Sequence, residues 1–309
     1  MKILLVVLAA AAPAFAGSEA VSHSAAAGFA EILRAPARAL VPALGKVPAS
    51  FADEDKLIDL LGDASPAVRA AAAKSLRHYA LTSYRAESKL LDTLQNSREE
   101  DSVRREAVKA LAWAAQHYGT KSKILSLAKD ATQSDDLRAV AFKSLWVVAN
   151  REYDVRSALQ DALRGAREPL AVRKGAAWAL FADAQDYGSR RDLLETARDP
   201  GADASLRVEA VKSLFGQMSQ YEIKNAVKDL ARDSTEKEAL REAAVLCHIL
   251  LNHEYDTRSF LEDLARSASS DVLRTAAVKA LDQSISLELA GYFHLAFYNG
   301  RAIDPLENQ

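Results

Sequence analysis

An arginine recurs seven times at nearly constant spacing, and this period constrains the fold more than any other feature of the chain. Each arginine stands in a similar segment, of which "SVRREAVKAL" (102–111) and "SLRVEAVKSL" (205–214) are two copies. Self-similarity at a fixed period of this length indicates a repeat protein, in which one supersecondary unit follows another. Successive arginines are 35, 34, 35, 34, 34 and 33 residues apart, at Arg69, Arg104, Arg138, Arg173, Arg207, Arg241 and Arg274.

The arginine segment has the hydrophobic pattern of a helix. Counted from the arginine, position −1 is Val or Leu, position +3 is always alanine, and position +7 is leucine in six copies, with His248 as the exception. Apolar residues at −1, +3, +4 and +7 lie on one face of a helix. Because the residue at +3 is always small, we expect neighbouring helices to approach closely at that point.

A second helical segment precedes each arginine helix. It begins near an aromatic residue, which is followed six residues later by an aliphatic residue and ten residues later by Leu or Ala. That spacing is again helical, and short polar stretches such as "QNSREED" separate the two helices. The repeating unit is therefore helix–turn–helix. The aromatic residues are Phe51, Tyr84, Tyr118, Tyr153, Tyr187, Tyr221 and Tyr255.

A unit of this size cannot bury its apolar face alone, so we expect residues 51–283 to stack into an all-α solenoid of about seven repeats. Glycine (12 residues) and proline (8 residues) are scarce, and 49% of the chain is hydrophobic, which favours helices around a substantial core. We expect residues 17–50 to form an N-terminal cap and loop, and residues 284–309 a C-terminal cap and tail. The pattern after residue 284 permits a helix or a strand, and the final polar tail is either a frayed end or a docking peptide.

The first sixteen residues, "MKILLVVLAAAAPAFA", have the organisation of a secretory signal. Lys2 precedes an apolar run, and Ala14 and Ala16 form a small-x-small cleavage motif. The run is shorter than the roughly 20 apolar residues that span a bilayer. The alternative is a buried N-terminal helix. We expect cleavage after Ala16 and export of a protein without a membrane span, most simply to a bacterial periplasm.

Asp before a turn, followed by Val-Arg-x-x-Ala-x-x-x-Leu, resembles the second helix of HEAT repeats. The short unit is most similar to the HEAT-like repeats of phycobilin lyases, and "DASPAVRAAAAKSL" (63–76) is the closest copy. The resemblance covers about residues 51–283. It implies a right-handed solenoid that binds macromolecules, with the arginine helices on its concave side. It also implies that the arginine bonds an acidic side chain near the turn, a role open to Asp101, Asp135 and Asp271, which could instead cap the helix.

No recognised catalytic signature occurs in the chain. Among the six histidines, no pair has a metal-binding spacing with a third ligand, and His248 and His253 lie on different helix faces. Cys247 occupies a position that is Ser or Ala in the other repeats, which favours a buried structural thiol. A glycine-rich phosphate loop, G-x-S-x-G and H-E-x-x-H are all missing from the sequence. We therefore expect a protein that is not an enzyme, with no cofactor and no metal.

The candidate binding surface follows position +5 of the arginine helix. This position lies nearly opposite the apolar face, so we expect it to face solvent. Five copies have lysine there, and two have Trp178 or Leu246, while Trp113 at +9 lies on nearly the same side. The competing interpretation is that the lysines only keep the helices soluble. The candidate partner-binding residues are Lys74, Lys109, Trp113, Lys143, Trp178, Lys212, Leu246 and Lys279.

Taken together, these features predict a monomeric, non-catalytic scaffold or regulator in the bacterial cell envelope that binds a protein partner on its concave face. The alternative is a binder of an anionic envelope polymer or lipid headgroup, held by the lysines. The formal net charge of −2 gives no general attraction for nucleic acid. A further column of basic residues is expected to brace neighbouring repeats: Lys121, Arg156, Arg190, Lys224 and Arg258.

Overall fold

The computed structural model describes residues 51–282, 286–294, 297–298, 301–302 and 305–306. The expected signal sequence (1–16) and N-terminal cap (17–50) lie outside the described residues. The described residues belong to two compact units, divided between Ser189 and Arg190. We call residues 51–189 the N-terminal unit and the described residues from 190 onward the C-terminal unit.

The N-terminal unit contains repeats 1 to 4, each with a first helix, a second helix that carries the arginine, and in every repeat a short third helical segment. The first helices are Phe51–Leu60, Tyr84–Gln95, Tyr118–Lys129 and Tyr153–Arg164. The second helices are Pro66–Ser75, Asp101–Ala110, Asp135–Ser144 and Leu170–Ala179. The third segments are Arg77–Ala80, Trp113–Gln116, Trp146–Ala149 and Leu180–Asp183.

The C-terminal unit contains repeats 5 to 7, and the division between the units falls within the first helix of repeat 5. The first helices are Tyr187–Arg198, Tyr221–Arg232 and Tyr255–Ser267. The second helices are Ala204–Ser213, Glu238–Leu246 and Asp271–Leu281. Third segments follow in repeats 5 and 6, at Phe215–Gln217 and Cys247–Leu251.

The helices begin where the sequence supplies caps. The Ser134 hydroxyl accepts a hydrogen bond from the Leu137 amide, and the Ser270 hydroxyl accepts one from the Leu273 amide, so each satisfies a free amide at the start of a second helix. Pro66 opens the second helix of repeat 1, where its missing N–H costs nothing. The aromatic residue of the repeat is the first residue of every first helix.

The core lies between the two helix layers, as the hydrophobic pattern predicts. The alanines at +3 are buried in all seven repeats, and the leucines at +7 are buried in five of the six repeats that have one. Second helices of adjacent repeats contact one another within each unit. At Gly175 the approach is so close that an added Cβ would lie 2.6 Å from the Ala139 carbonyl oxygen. Neighbouring second helices are thus in close contact, and between repeats 3 and 4 this close approach is at +2 rather than at the alanine of +3.

The third helical segments were not predicted from the sequence. In the N-terminal unit they contact one another from repeat to repeat and form a third row. Aromatic side chains pack along this row, with ring centroids 5.3 Å apart for Trp113 and Trp146 and 5.6 Å apart for Trp146 and Phe181. The row covers part of the second-helix surface that the sequence places in solvent.

The chain after repeat 7 forms a short helix, Leu287–Tyr292, whose start is capped by the Ser286 hydroxyl. The segment left open between helix and strand is thus helical at its start. Two-residue strands, Phe297–Tyr298 and Arg301–Ala302, pair antiparallel beyond it. Of the helices described, none combines the length and the apolar character needed to cross a membrane.

Candidate functional site

The repeated arginine joins the two helices of its own repeat. In repeats 2 to 6 its Nε donates a hydrogen bond to the backbone carbonyl ten residues earlier, at the C-terminal end of the first helix. The N–O distances lie between 2.9 and 3.1 Å. Carbonyls in the last turn of a helix lack a partner within that helix, so the arginine satisfies one of them. The accepting carbonyls belong to Leu94, Ala128, Leu163, Ala197 and Ala231.

The same guanidinium also binds the turn of the following repeat. Arg138 Nη2 lies 2.7 Å from Glu168 Oε2, and Arg69 pairs in the same way with Glu99. Arg104 uses Gln133 as a neutral acceptor, and Arg207 pairs with Glu236. These acceptors stand 29 or 30 residues after the arginine, a spacing that sequence reasoning missed. The arginine is therefore a structural brace within and between repeats.

The acidic residues predicted to serve the arginines play a smaller part. Asp101 lies 3.5 Å from Arg104 Nη1, and Asp271 pairs with Arg274, each three residues before its arginine. Asp135 is exposed in the first turn of its helix. The main acceptor in repeats 1 to 3 and 5 is the side chain of the following turn.

The basic residues predicted to brace neighbouring repeats include three that bind acidic side chains at the boundary with the next repeat. Lys121 pairs with Glu152 and Asp154 at the start of the next repeat, and Lys224 pairs with Glu254 and Asp256. Arg156 binds Asp183 and Asp186, which lie immediately before repeat 5. Arg258 pairs within its own helix, with Glu262.

Three of the predicted partner-binding residues are not on the surface. Trp113, Trp178 and Leu246 are 3%, 1% and 4% exposed, so the prediction that they face solvent is wrong. In the N-terminal unit the reason is the third row, because Phe181 packs edge-on against Trp178 with centroids 5.3 Å apart. The chain leaves the second helix after +6 and folds its aromatic side chains over the +5 position. These three residues are core, and they are not available as anchors for a partner.

The five lysines of the column differ from one another in exposure. Lys74 and Lys279 are exposed, whereas Lys109, Lys143 and Lys212 are half-buried. Lys109 Nζ lies 2.9 Å from Glu106 Oε1, so its charge is compensated locally. Lys143 Nζ lies 5.7 Å from the centroid of the Trp178 ring, within range of a cation–π contact. The column is thus a mixed surface rather than a continuous positive stripe.

In the C-terminal unit, the second helix of repeat 5 carries a peptide segment of the same chain. Lys212 Nζ lies 3.8 Å from the centroid of the Tyr292 ring, and the Phe293 ring stacks on Phe215 with centroids 4.0 Å apart and planes 12° apart. His294 Nε2 lies 2.6 Å from Glu209 Oε1. The residues of repeat 5 that make these contacts are at +2, +5 and +8, in one line along the repeat. Burial raises the pKa of Tyr292. We call residues 292–294 the aromatic segment.

Several buried titratable groups have shifted pKa values, and each is explained by its packing. Burial raises the pKa of Asp183 to about 6, against the opposing hydrogen bond from the Ser189 hydroxyl and the nearby Arg156 charge. Burial lowers the pKa of His248 to about 4 and raises that of the Cys247 thiol. Cys247 is completely buried, which agrees with the predicted structural thiol. In the part of the chain that the structure describes, no group of three or more His, Cys, Asp or Glu side chains is arranged to hold a metal ion.

A row of exposed tyrosines is the feature that sequence reasoning used only as a helix marker. These tyrosines begin the first helices of repeats 2 to 7, and their side chains are between 68% and 89% exposed. The signal was present in the sequence, because the residue recurs once per repeat, but the pattern alone did not say which way the ring points. The row consists of Tyr84, Tyr118, Tyr153 and Tyr187 in the N-terminal unit and Tyr221 and Tyr255 in the C-terminal unit.

Comparisons with known proteins found similar solved structures and a matching family. The structure of human deoxyhypusine hydroxylase in complex with glycerol is similar at 19% identity, over 85% of this chain and 96% of that chain, with a TM-score of 0.36. The X-ray structure of YibA of Escherichia coli is similar at 16% identity, over 88% of this chain and 100% of that chain, with a TM-score of 0.45. No curated protein gives a match by sequence. Residues 54–146 match the family of HEAT repeats, and helix pairs of similar length and spacing continue through repeat 7.

Proposed function

We propose that this protein is a non-catalytic interaction scaffold of the bacterial cell envelope, which binds a protein partner on the surface of its second helices. HEAT repeats in general are scaffolds for protein interaction, and the family match supports that coarse function here. The envelope location rests on the signal-like N-terminus, and the binding surface rests on a contact within the chain itself.

The observation that carries the proposal is the aromatic segment on repeat 5. The line formed by Glu209, Lys212 and Phe215 binds Tyr292, Phe293 and His294 through a close histidine–carboxylate contact, a cation–π contact and a ring stack. This surface of a second helix therefore has the chemistry to hold a short peptide that contains aromatic side chains. Buried aromatic and cationic anchors of this kind carry most of the binding energy in protein interfaces.

The equivalent line in repeats 2 and 3 offers related chemistry to an external partner. Repeat 2 presents the Glu106–Lys109 pair, and repeat 3 presents Lys143 beside the buried aromatic row. We expect the partner to place an aromatic side chain near Lys143 and a charged group near Glu106 and Lys109. Compensation of Lys109 by Glu106 favours such a peptide over an anionic polymer, which would need uncompensated positive charge.

The experiment is affinity capture from the envelope fraction of the source bacterium, with the full chain as bait. The test variant is Lys109→Glu with Lys143→Glu, and the control is Lys89→Glu with Lys123→Glu, which makes the same charge change on exposed first-helix positions. We expect the test variant to lose a defined partner that the control retains. Equal recovery by both variants contradicts the proposed surface.

Two further measurements separate the remaining possibilities. Binding of an anionic polymer through the lysines would weaken steeply as ionic strength rises, whereas a mainly aromatic contact would change little. Mass spectrometry of the chain recovered from the envelope should give a mature N-terminus at Gly17. Recovery of the intact chain from the cytoplasm would contradict the envelope location.

A further inference from the structure

The exposed tyrosine row of the N-terminal unit is unlike the other repeated positions, because it contributes almost nothing to the core. Tyr84, Tyr118 and Tyr153 are 83%, 79% and 78% exposed, and each is the first residue of its helix. The first turn of a helix favours small polar, acidic or proline residues, so an aromatic ring there is not required for helix formation. Large amphipathic rings exposed in this way suit binding surfaces, where one face of the ring is covered and the hydroxyl stays wet.

A cleft of about 380 Å³ opens beside one of these rings. Tyr118 forms part of its wall, and Ser122 and Ser126 supply hydroxyl groups one and two turns further along the same helix. Asp130 and Asp154 add carboxylates, and the lining is completed by Leu125 and Lys129. The cleft therefore combines an aromatic ring with several hydrogen-bonding groups, the combination that recognises a sugar ring by its apolar face and its hydroxyls.

Two bases beside the row are compensated. Lys121, which also lies 5.3 Å from the Tyr118 ring centroid, is paired with both Glu152 and Asp154. Arg156 is paired with Asp183 and Asp186. With two carboxylates near each, neither base offers a polyanion an uncompensated charge, and Lys129 in the cleft lies among the carboxylates of Asp130 and Asp154.

We infer that the row of Tyr84, Tyr118, Tyr153 and Tyr187 is a second binding surface, and that its ligand is an extended, neutral polysaccharide. The rings recur once per repeat, so the surface matches a ligand that repeats along its own length, which a globular protein does not. Sugar rings stack on successive tyrosines, and the hydroxyls of one sugar bond Ser122, Ser126 and the carboxylates of the cleft.

The test is isothermal titration calorimetry of the full chain with chitohexaose and cellohexaose, and with chitobiose as the short control. We expect both hexasaccharides to bind and chitobiose to bind far more weakly, because it reaches only one ring. The variant Tyr84→Ala/Tyr118→Ala/Tyr153→Ala should weaken hexasaccharide binding by about tenfold or more, since each ring stack is lost. The matched variant Tyr84→Phe/Tyr118→Phe/Tyr153→Phe keeps the rings and should keep most of the binding.

Since the substituted side chains are exposed, we expect all three proteins to show the same thermal unfolding by circular dichroism. Absence of hexasaccharide binding at millimolar concentration overturns the proposal, as does binding that the alanine variant retains. Binding of polyphosphate that depends on the tyrosines, without binding of either hexasaccharide, also overturns it. So does a protein partner that requires the tyrosines when neither sugar binds. The result is independent of the second-helix surface, because none of these substitutions touches Lys109 or Lys143.

Discussion

Replacement of Arg138 by methionine should separate the two structural tasks of the repeated arginine. Methionine keeps the apolar stem and removes the guanidinium. Two bonds are lost: the one from Nε to the buried Ala128 carbonyl, at 3.1 Å, and the one from Nη2 to Glu168, at 2.7 Å. Glu168→Ala is the matched variant, because it removes only the acceptor of the second bond and leaves the bond to the Ala128 carbonyl in place.

The expected cost follows from these contacts. A hydrogen bond that involves a charged group contributes about 1.5–3 kcal/mol, and both bonds come from the charged guanidinium. Because the Glu168 side chain is 34% exposed, we take the lower end of this range. Arg138→Met should therefore lower the free energy of unfolding by about 3 kcal/mol and Glu168→Ala by about 1.5 kcal/mol. The difference, about 1.5 kcal/mol, is the contribution of the bond within the repeat.

Tryptophan fluorescence during urea unfolding is a suitable assay. The protein has three tryptophans, all of them buried in the N-terminal unit, so the signal reports on the unit that contains both substitutions. The free-energy change is the shift in midpoint multiplied by the slope. Glu168→Gln, which keeps an acceptor without the charge, should fall between the wild type and Arg138→Met. If Glu168→Ala lowers the free energy of unfolding by less than about 0.5 kcal/mol, the bond between repeats has no net effect and the reasoning is refuted.

Two other substitutions test the packing of the repeats. Gly175→Ala should destabilise the N-terminal unit by about 1–3 kcal/mol although alanine is the better helix former, because the new Cβ would meet the Ala139 carbonyl oxygen at 2.6 Å. Gly119→Ala, where nothing lies within 4 Å, is the control and should be neutral or stabilising, and equal effects in urea unfolding would contradict the close contact. His248→Leu should protect the protein from acid. Burial lowers the pKa of His248 to about 4, so stability that is complete above pH 6.5 is lost as the pH falls toward 4. Leucine occupies the same position in the other six repeats and does not titrate. The stability of the variant relative to wild type should therefore rise by about 2 kcal/mol between pH 7 and 4.5 in urea unfolding followed by circular dichroism, and a constant difference would contradict the assignment.

The fold could be read from the sequence because its determinants recur. Alanine at +3 and the aliphatic residue six positions after the aromatic one are short-range patterns that specify a helix face, and seven copies remove the ambiguity of any single one. Arg138 and its equivalents were recognised as structural for the same reason. Their acceptors, such as Glu168, were missed because the bond crosses to the next repeat, where no local pattern marks it.

The candidate binding surface was predicted less well, because the second helix ends earlier than the sequence pattern suggests. The sequence pattern predicts one continuous helix to +9. In the structure of the N-terminal unit, the second helix ends at +6 and a separate third segment follows. Leu145 and Leu180 at this junction keep right-handed helical backbone angles, and neither glycine nor proline marks the change. A segment of four residues is too short for its hydrophobic period to distinguish the two geometries. Trp178 was therefore assigned to solvent when it lies in the core.

The repeated residues divide into those whose recurrence is explained by burial and those whose recurrence is not. The alanines at +3 and the arginines recur because the core and the junction between repeats require them. The tyrosines recur although their rings lie in solvent, where neither the core nor the junction between repeats requires an aromatic side chain. The residue that follows each of them differs from repeat to repeat, and it is Arg85, Gly119, Asp154, Gly188, Glu222 or Asp256. The recurrence of an exposed ring at one position per repeat is therefore better explained by a ligand that contacts the rings than by folding.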